Sequence, residues 1–164
     1  MGPARRWGHA PRPRPSPTRR SVEASAETAR RAAARALRAT GREGGHVEIT
    51  LVDDAEIRRL NWAFRGVSRR TDVLAFPLEV SEAPGGLIGQ VVISLDTARR
   101  QSWSLGLPLA LELQLLVTHG ILHLIGYDDR DPVEAHVMHL REREILASAH
   151  AKLPAQLWQG LLHA

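Results

Sequence analysis

Two histidines stand four positions apart in the segment His119-Gly-Ile-Leu-His123-Leu-Ile-Gly126-Tyr-Asp-Asp129. On a helix, positions i and i+4 share a face, so both ring nitrogens reach one point. Gly126 can adopt the left-handed conformation that ends a helix and turns the chain back. That turn returns Asp129 toward the same point as a third ligand. Two imidazoles and a carboxylate suit a tetrahedral zinc with one position open to water, the donor set of a catalytic site. A lone histidine on an apolar helix is more often a core residue satisfied by a carbonyl. Two histidines, a glycine and an aspartate at these offsets instead predict one Zn2+ per chain, held by His119, His123 and Asp129, and a metal-dependent hydrolase. Asp128 is adjacent and competes with Asp129 for the third position. His136 and His139, on the next helix, are expected at the surface, although a fourth ligand from either would close the site.

A second constellation is basic. Arg58, Arg59, Arg65, Arg69 and Arg70 lie close together, and Asp72 is the first acid after them. The guanidinium fork matches phosphate oxygens, and cleavage of a phosphodiester builds negative charge that an arginine beside a metal would stabilise. Arginine clusters are more commonly solvated faces, so this segment counts only if the fold brings Arg65 near His119.

The elements that must position these groups are readable in outline. The chain has 164 residues, enough for one domain with a proper core. It has no cysteine, which excludes disulfides and thiolate metal sites. Residues 1–20 carry six arginines and no acid, so removing their charge from the net +4 leaves −2 for the rest. Basicity therefore belongs to a Pro/Arg-rich tail expected to be disordered, and any nucleic-acid affinity of the core must come from a local patch. A helix is expected from about Ser21 to Thr40, a strand over His46–Val52, and a helix capped by Asp53 or Asp54 running to about Phe64. A short strand over Val73–Phe76, a turn over Ser81–Gly86 and a strand over Leu87–Ser94 follow. Helices over Asp96–Leu105, Leu109–Ile125 and Pro132–His150 complete the pattern, ahead of an apolar tailpiece over residues 151–164. The result is an α+β domain over residues 21–150, with a small mixed sheet and the metal helix packed on it. Glu142 and Glu144, in an Arg-Glu-Arg-Glu run, read as a solvated helix face, and Trp62 and Trp103 as core or groove residues. The longest apolar stretch is too polar to span a bilayer, and no secretory signal is visible, so a cytoplasmic protein is expected.

At these segments the sequence resembles the YbeY family of single-strand-specific endoribonucleases. The family's metal motif H-G-x-L-H-L-x-G-Y-D-H aligns with His119–Asp129, and its L-N-x-x-Y-R-G-K-D-x-P-T-D-V-L-S-F-P signature with Leu60–Pro77. An element like L-G-D-I-V-I-S aligns with Ile88–Ser94, and the agreement covers roughly residues 46–148. The resemblance implies a zincin-like metal helix. It also implies a role in 16S rRNA 3′-end maturation and ribosome quality control, with single-stranded rRNA, the small ribosomal subunit and its assembly factors as partners, and neither DNA nor membrane. It makes His119 and Arg65 the candidate catalytic residues and Arg65 a substrate-binding one. Arg69 and Arg70 are expected to bind substrate with it, restoring a phosphate patch that lacks the family's lysine. Asp129 replaces the family's third histidine, which lowers the charge of the site by one. Phe64, Val67, Arg70, Ala75 and Gln90 replace the usual Tyr, Lys, Pro, Ser and Asp.

Two rivals follow from the same residues. The spacing also fits the metzincin protease pattern, but Gly120 stands where peptide hydrolysis needs a glutamate base. The other is a non-catalytic ribosome-assembly factor with a structural zinc, which would require a closed four-ligand shell.

Overall fold

The computed structural model describes residues 17–78 and 86–162. Most of the expected disordered tail and of the Ser81–Gly86 turn lies outside those residues. The first helix, α1 (Arg19–Ala39), starts two residues before the expected tail boundary. Thr18 is its N-cap, the Oγ1 accepting from the Ser21 N–H at 3.2 Å, which satisfies one of the orphan donors of the first turn. Ala29, Ala32, Ala33 and Ala36 form its buried stripe, and their small side chains let α1 lie close to the core.

Three strands form one mixed sheet in the order β1 (His46–Val52), β3 (Leu87–Ser94), β2 (Val73–Pro77). β1 runs parallel to β3 and β2 antiparallel to it. The central β3 is buried along most of its length, as its run of Ile and Val without polar alternation implies.

Between β1 and β2 lies α2 (Asp54–Arg65). Both aspartates at its start are used, for different purposes. Asp53 is the cap, accepting from the Glu56 N–H at 2.8 Å. Asp54 bonds across the fold, accepting from Ser94 Oγ at 2.7 Å and Thr97 Oγ1 at 2.8 Å, and it pairs with Arg100 at 2.7 Å. Burial opposes ionisation of Asp54, but Arg100 and the two hydroxyls outweigh it and hold its pKa at about 2. This carboxylate pins the start of α2 to the end of β3 and to α3 (Leu95–Ser104), so the far end of α2, which carries Arg65, has a defined position.

The apolar helix α4 (Leu109–Leu124) is buried on nearly every face, as a helix without a polar side must be. It packs on β2 and β3, with α1, α3 and α5 (Pro132–Ala147) around it. Gly120 packs tightly on the sheet: a Cβ there would meet Val91 Cγ1 at 2.6 Å and Val73 Cγ2 at 3.2 Å. Position 120 thus faces the sheet and has no room for the glutamate that a protease of this spacing needs.

The expected tailpiece is part of the fold. Residues Ala155–Gly160 form a 3-10 turn, and Leu157 is fully buried against Leu111, Leu115 and Leu146. Beyond it, the Leu162 N–H donates to Asp72 Oδ2 at 2.7 Å, and Gln101 Nε2 donates to the Gly160 carbonyl.

Candidate metal centre

α4 ends just where the site needs it to. Gly126 has φ of 103°. The Tyr127 N–H returns to the Leu122 carbonyl at 3.0 Å and the Gly126 N–H to that of His123 at 3.1 Å, a Schellman closure. The turn carries the following aspartates back over the last turn of the helix. There the ligand atoms of His119, His123 and Asp129 lie within 4.8 Å of one another. The two Nε2 atoms are 3.0 Å apart, and each is 3.7 Å from an Asp129 carboxylate oxygen.

The outer nitrogens fix the inner ones. His123 Nδ1 faces the Tyr127 carbonyl at 3.0 Å, and a carbonyl only accepts, so Nδ1 carries the proton and Nε2 its lone pair. His119 Nδ1 faces Glu142 Oε1 at 2.7 Å, a charge-assisted contact of the same polarity. Two lone pairs then point at each other beside a carboxylate, which is repulsive unless a cation or a proton sits between them. Zinc at Zn–N of ~2.05 Å with tetrahedral angles would hold its donors about 3.3 Å apart, between the 3.0 and 3.7 Å found here. The donor set therefore fits zinc with small adjustment. Among the described residues no fourth side chain joins this cluster.

Electrostatics separates the two rings. Burial opposes protonation of His119, but Glu142, Asp129 and Asp72 together outweigh it and raise its pKa above the ordinary value. Burial, then the neighbouring His119, lowers that of His123. At its own side of the turn, Asp128 is bound by Arg130, whose Nε donates to Oδ2 at 2.8 Å. That hydrogen bond holds the Asp128 carboxyl well below the usual carboxylate range. Asp128 thus turns out to Arg130, and Asp129 turns in toward the two imidazoles.

Arg65, the last residue of α2, lines a cleft of about 470 Å³ together with His123, Asp128, Asp129 and Arg130. Arg69 and Arg70 do not join it. They line a separate recess with Asp54, Arg58 and Ser68, and Arg70 lies 4.0 Å from the Asp54 carboxylate. On the other side of the cluster a second cleft is bounded by His119, Asp129, His136, His139 and Glu142. His136 is exposed and His139 half-buried.

Two expectations are corrected. Glu142 is not on a solvated face: it is 1% exposed and receives His119 on one oxygen and Trp158 Nε1–H on the other, at 2.7 Å each. Its neighbour Glu144 is exposed, as expected. The spacing of Met138, Glu142 and Ile145, all buried at i, i+4 and i+7, was the available signal for an inward acid. Trp62 and Trp103 are surface residues, 60% and 75% exposed, rather than core or groove.

Known proteins give the same lineage. The family model described as Endoribonuclease YbeY matches residues 16–150. An Endoribonuclease YbeY of Anaeromyxobacter dehalogenans is 46% identical over 138 residues, covering 82% of this chain and 71% of that protein. One from Moorella thermoacetica is 46% identical over 110 residues, covering 62% and 70% respectively. A Thermotoga maritima protein solved in solution is 26% identical, covering 77% of this chain and 82% of its own, with a TM-score of 0.48. With a family model spanning most of its length and relatives this close, the chain belongs to the YbeY family of endoribonucleases.

Proposed function

We propose that this protein is a zinc-dependent, single-strand-specific endoribonuclease acting in 16S rRNA 3′-end maturation and ribosome quality control, in the cytoplasm and on the small ribosomal subunit with its assembly factors. One observation carries the metal part of the reading: the two Nε2 lone pairs converge on each other and on Asp129, with both outer nitrogens committed elsewhere. Family membership supports the substrate class, since relatives named Endoribonuclease YbeY cover most of the chain.

In this reading His119, His123 and Asp129 hold the ion, and α4 with its closing turn is the zincin-like helix. When bound, zinc supplies Lewis acidity toward a phosphodiester oxygen. Glu142 and the Tyr127 carbonyl keep both imidazoles in the ligating tautomer. Arg65, projecting into the same cleft, binds the phosphate and balances the charge that builds on its oxygens as the bond breaks. Arg69 and Arg70, outside that cleft, contact RNA only along its flanking backbone.

The test is cleavage of single-stranded 16S rRNA carrying its 3′ precursor, by the wild type and by His119→Ala. The expected result is cleavage that falls to background in the variant. Equal cleavage by both proteins would overturn the assignment. No cleavage by either, with one zinc bound in a closed four-ligand shell, would favour the assembly-factor alternative.

A further inference from the structure

We propose that Trp158 is a positioning residue of the metal centre, so that the segment after α5 belongs to the site and is not merely a tail. The family match ends at residue 150, and Trp158 lies beyond it, in the 3-10 turn Ala155–Gly160. Its indole Nε1–H donates to Glu142 Oε2 at 2.7 Å, and Glu142 Oε1 meets His119 Nδ1 at 2.7 Å. An indole N–H only donates, so Oε2 is committed as an acceptor. The carboxylate is 2% exposed at its side chain, so water does not substitute for the indole. Held at one oxygen, Glu142 can present the other to His119 in a single orientation. That contact in turn aims His119 Nε2 at His123 and Asp129.

The tryptophan is itself clamped. Arg143 lies over its ring at 4.6 Å from the centroid, and the His139 ring packs against it at 4.7 Å. Leu157 beside it is fully buried, and the chain beyond is tied to Asp72 through the Leu162 N–H. Past the 3-10 turn, Leu161 contributes to the wall of the second cleft and Leu162 reaches Asp72. Such a chain of fixed contacts is what a metal ligand's outer partner requires, because loss of an outer hydrogen bond typically weakens metal binding about 10- to 100-fold.

This inference rests on the metal reading above, and its test separates the two. Zn2+ affinity of the full-length apo protein is measured by competition with a chromophoric chelator, for the wild type, Trp158→Phe, Glu142→Gln and the double variant. Phenylalanine keeps an aromatic ring beside Arg143 and His139 and removes the N–H donor together with the pyrrole part of the indole. The expected result is a loss of about tenfold in zinc affinity for Trp158→Phe, with the apo thermal midpoint near wild type. In the Glu142→Gln background the same change should have little further effect, since the tryptophan acts through that carboxylate. Unchanged affinity in Trp158→Phe, or losses that simply add in the double variant, would overturn the proposal. A wild type that binds no zinc would overturn the metal reading and this one with it. The wild type also provides a readout that needs no variant: nitrogen NMR of the apo protein should find His119 protonated at Nδ1. The opposite tautomer would refute the chain of contacts even if Trp158→Phe failed to fold.

Discussion

The two walls of the candidate site are built on opposite principles. On the histidine wall the supporting polar atoms are committed: His119 Nδ1 to Glu142, Glu142 to Trp158, His123 Nδ1 to Tyr127, and Asp128 to Arg130. On the arginine wall the side chains from Arg65 to Arg70 are exposed, and Arg70 lies 4.0 Å from the Asp54 carboxylate in its separate recess. A metal needs donors fixed before it arrives, because ordering them afterwards subtracts from binding. A flexible polyanion is better met by long side chains that adjust to it. If the proposed function holds, the contrast makes holding the ion and gripping the phosphate separable tasks, and mutations should separate them.

The largest effect should come from the histidine wall. His123→Ala removes a ligand and not only its support, so zinc affinity should fall by more than the ~100-fold upper range for an outer partner, and RNA cleavage should vanish. Equilibrium dialysis with metal analysis checks the first, and a gel assay the second. Retained zinc at one per chain would mean that the ion sits elsewhere. The arginine wall should behave differently. Arg65→Ala should lower kcat by about 10²- to 10³-fold, the range for losing one donor to a developing oxyanion, with zinc affinity unchanged. Arg70→Ala, its charge already shared with Asp54, should change cleavage only a few-fold. If Arg65→Ala and Arg70→Ala fell equally, the two recesses would have to act as one surface.

How much of this was legible in the sequence follows the same division. The i, i+4 histidines and the glycine-closed turn are local devices, and local spacing is read directly from a chain. The strands, α4 and α5 lie within a few residues of where periodicity puts them, because Gly, Pro and capping aspartates mark their ends. Glu142 and Trp158 were not legible as site residues. Glu142 lies 23 positions from His119, and only the packing of α5 on α4 brings them together. The Arg-Glu-Arg-Glu composition pointed outward, while the Met138-Glu142-Ile145 stripe pointed inward, and packing decided for the stripe. Trp158 sits in an irregular segment where no periodicity exists to read.

The buried side of the molecule holds an acid that neither wall uses, and it sharpens the contrast through pH. Glu112, in the first turn of α4, is 0% exposed, and neither carboxylate oxygen has a hydrogen-bond partner among the described residues. Burial, then the charge of Asp72, raises its pKa to about 7. A folded-state pKa above the unfolded value of an acid means that the native state binds the proton more tightly. Stability should therefore be undisturbed below the ordinary glutamate pKa and fall as pH rises from there to about 7, then level off. Glu112→Gln should be nearly neutral in stability at pH 5 and should gain on the order of 2 kcal/mol at pH 8. Urea unfolding at the two pH values checks this. A gain of equal size at both would mean that the carboxyl is ionised throughout.

The finest test lies within the turn itself, where two adjacent aspartates are assigned to different sides. Asp128→Asn removes a charge within one residue of the ion, yet its carboxylate is engaged by Arg130 and points away from the imidazoles. Zinc affinity should therefore change by no more than about threefold, the size of an exposed-pair effect. Asp129→Asn is nearly isosteric but exchanges an anionic ligand for a weak neutral one, so affinity should fall at least tenfold. A metal titration of both variants decides the register. Equal losses would show that the turn reorganises when the ion binds and that the pair acts together. Inverted losses would move the third ligand to Asp128 and require Arg130 to release it. The difference of a single position matters because it sets which way the backbone of the turn must run between His123 and the Arg65 cleft.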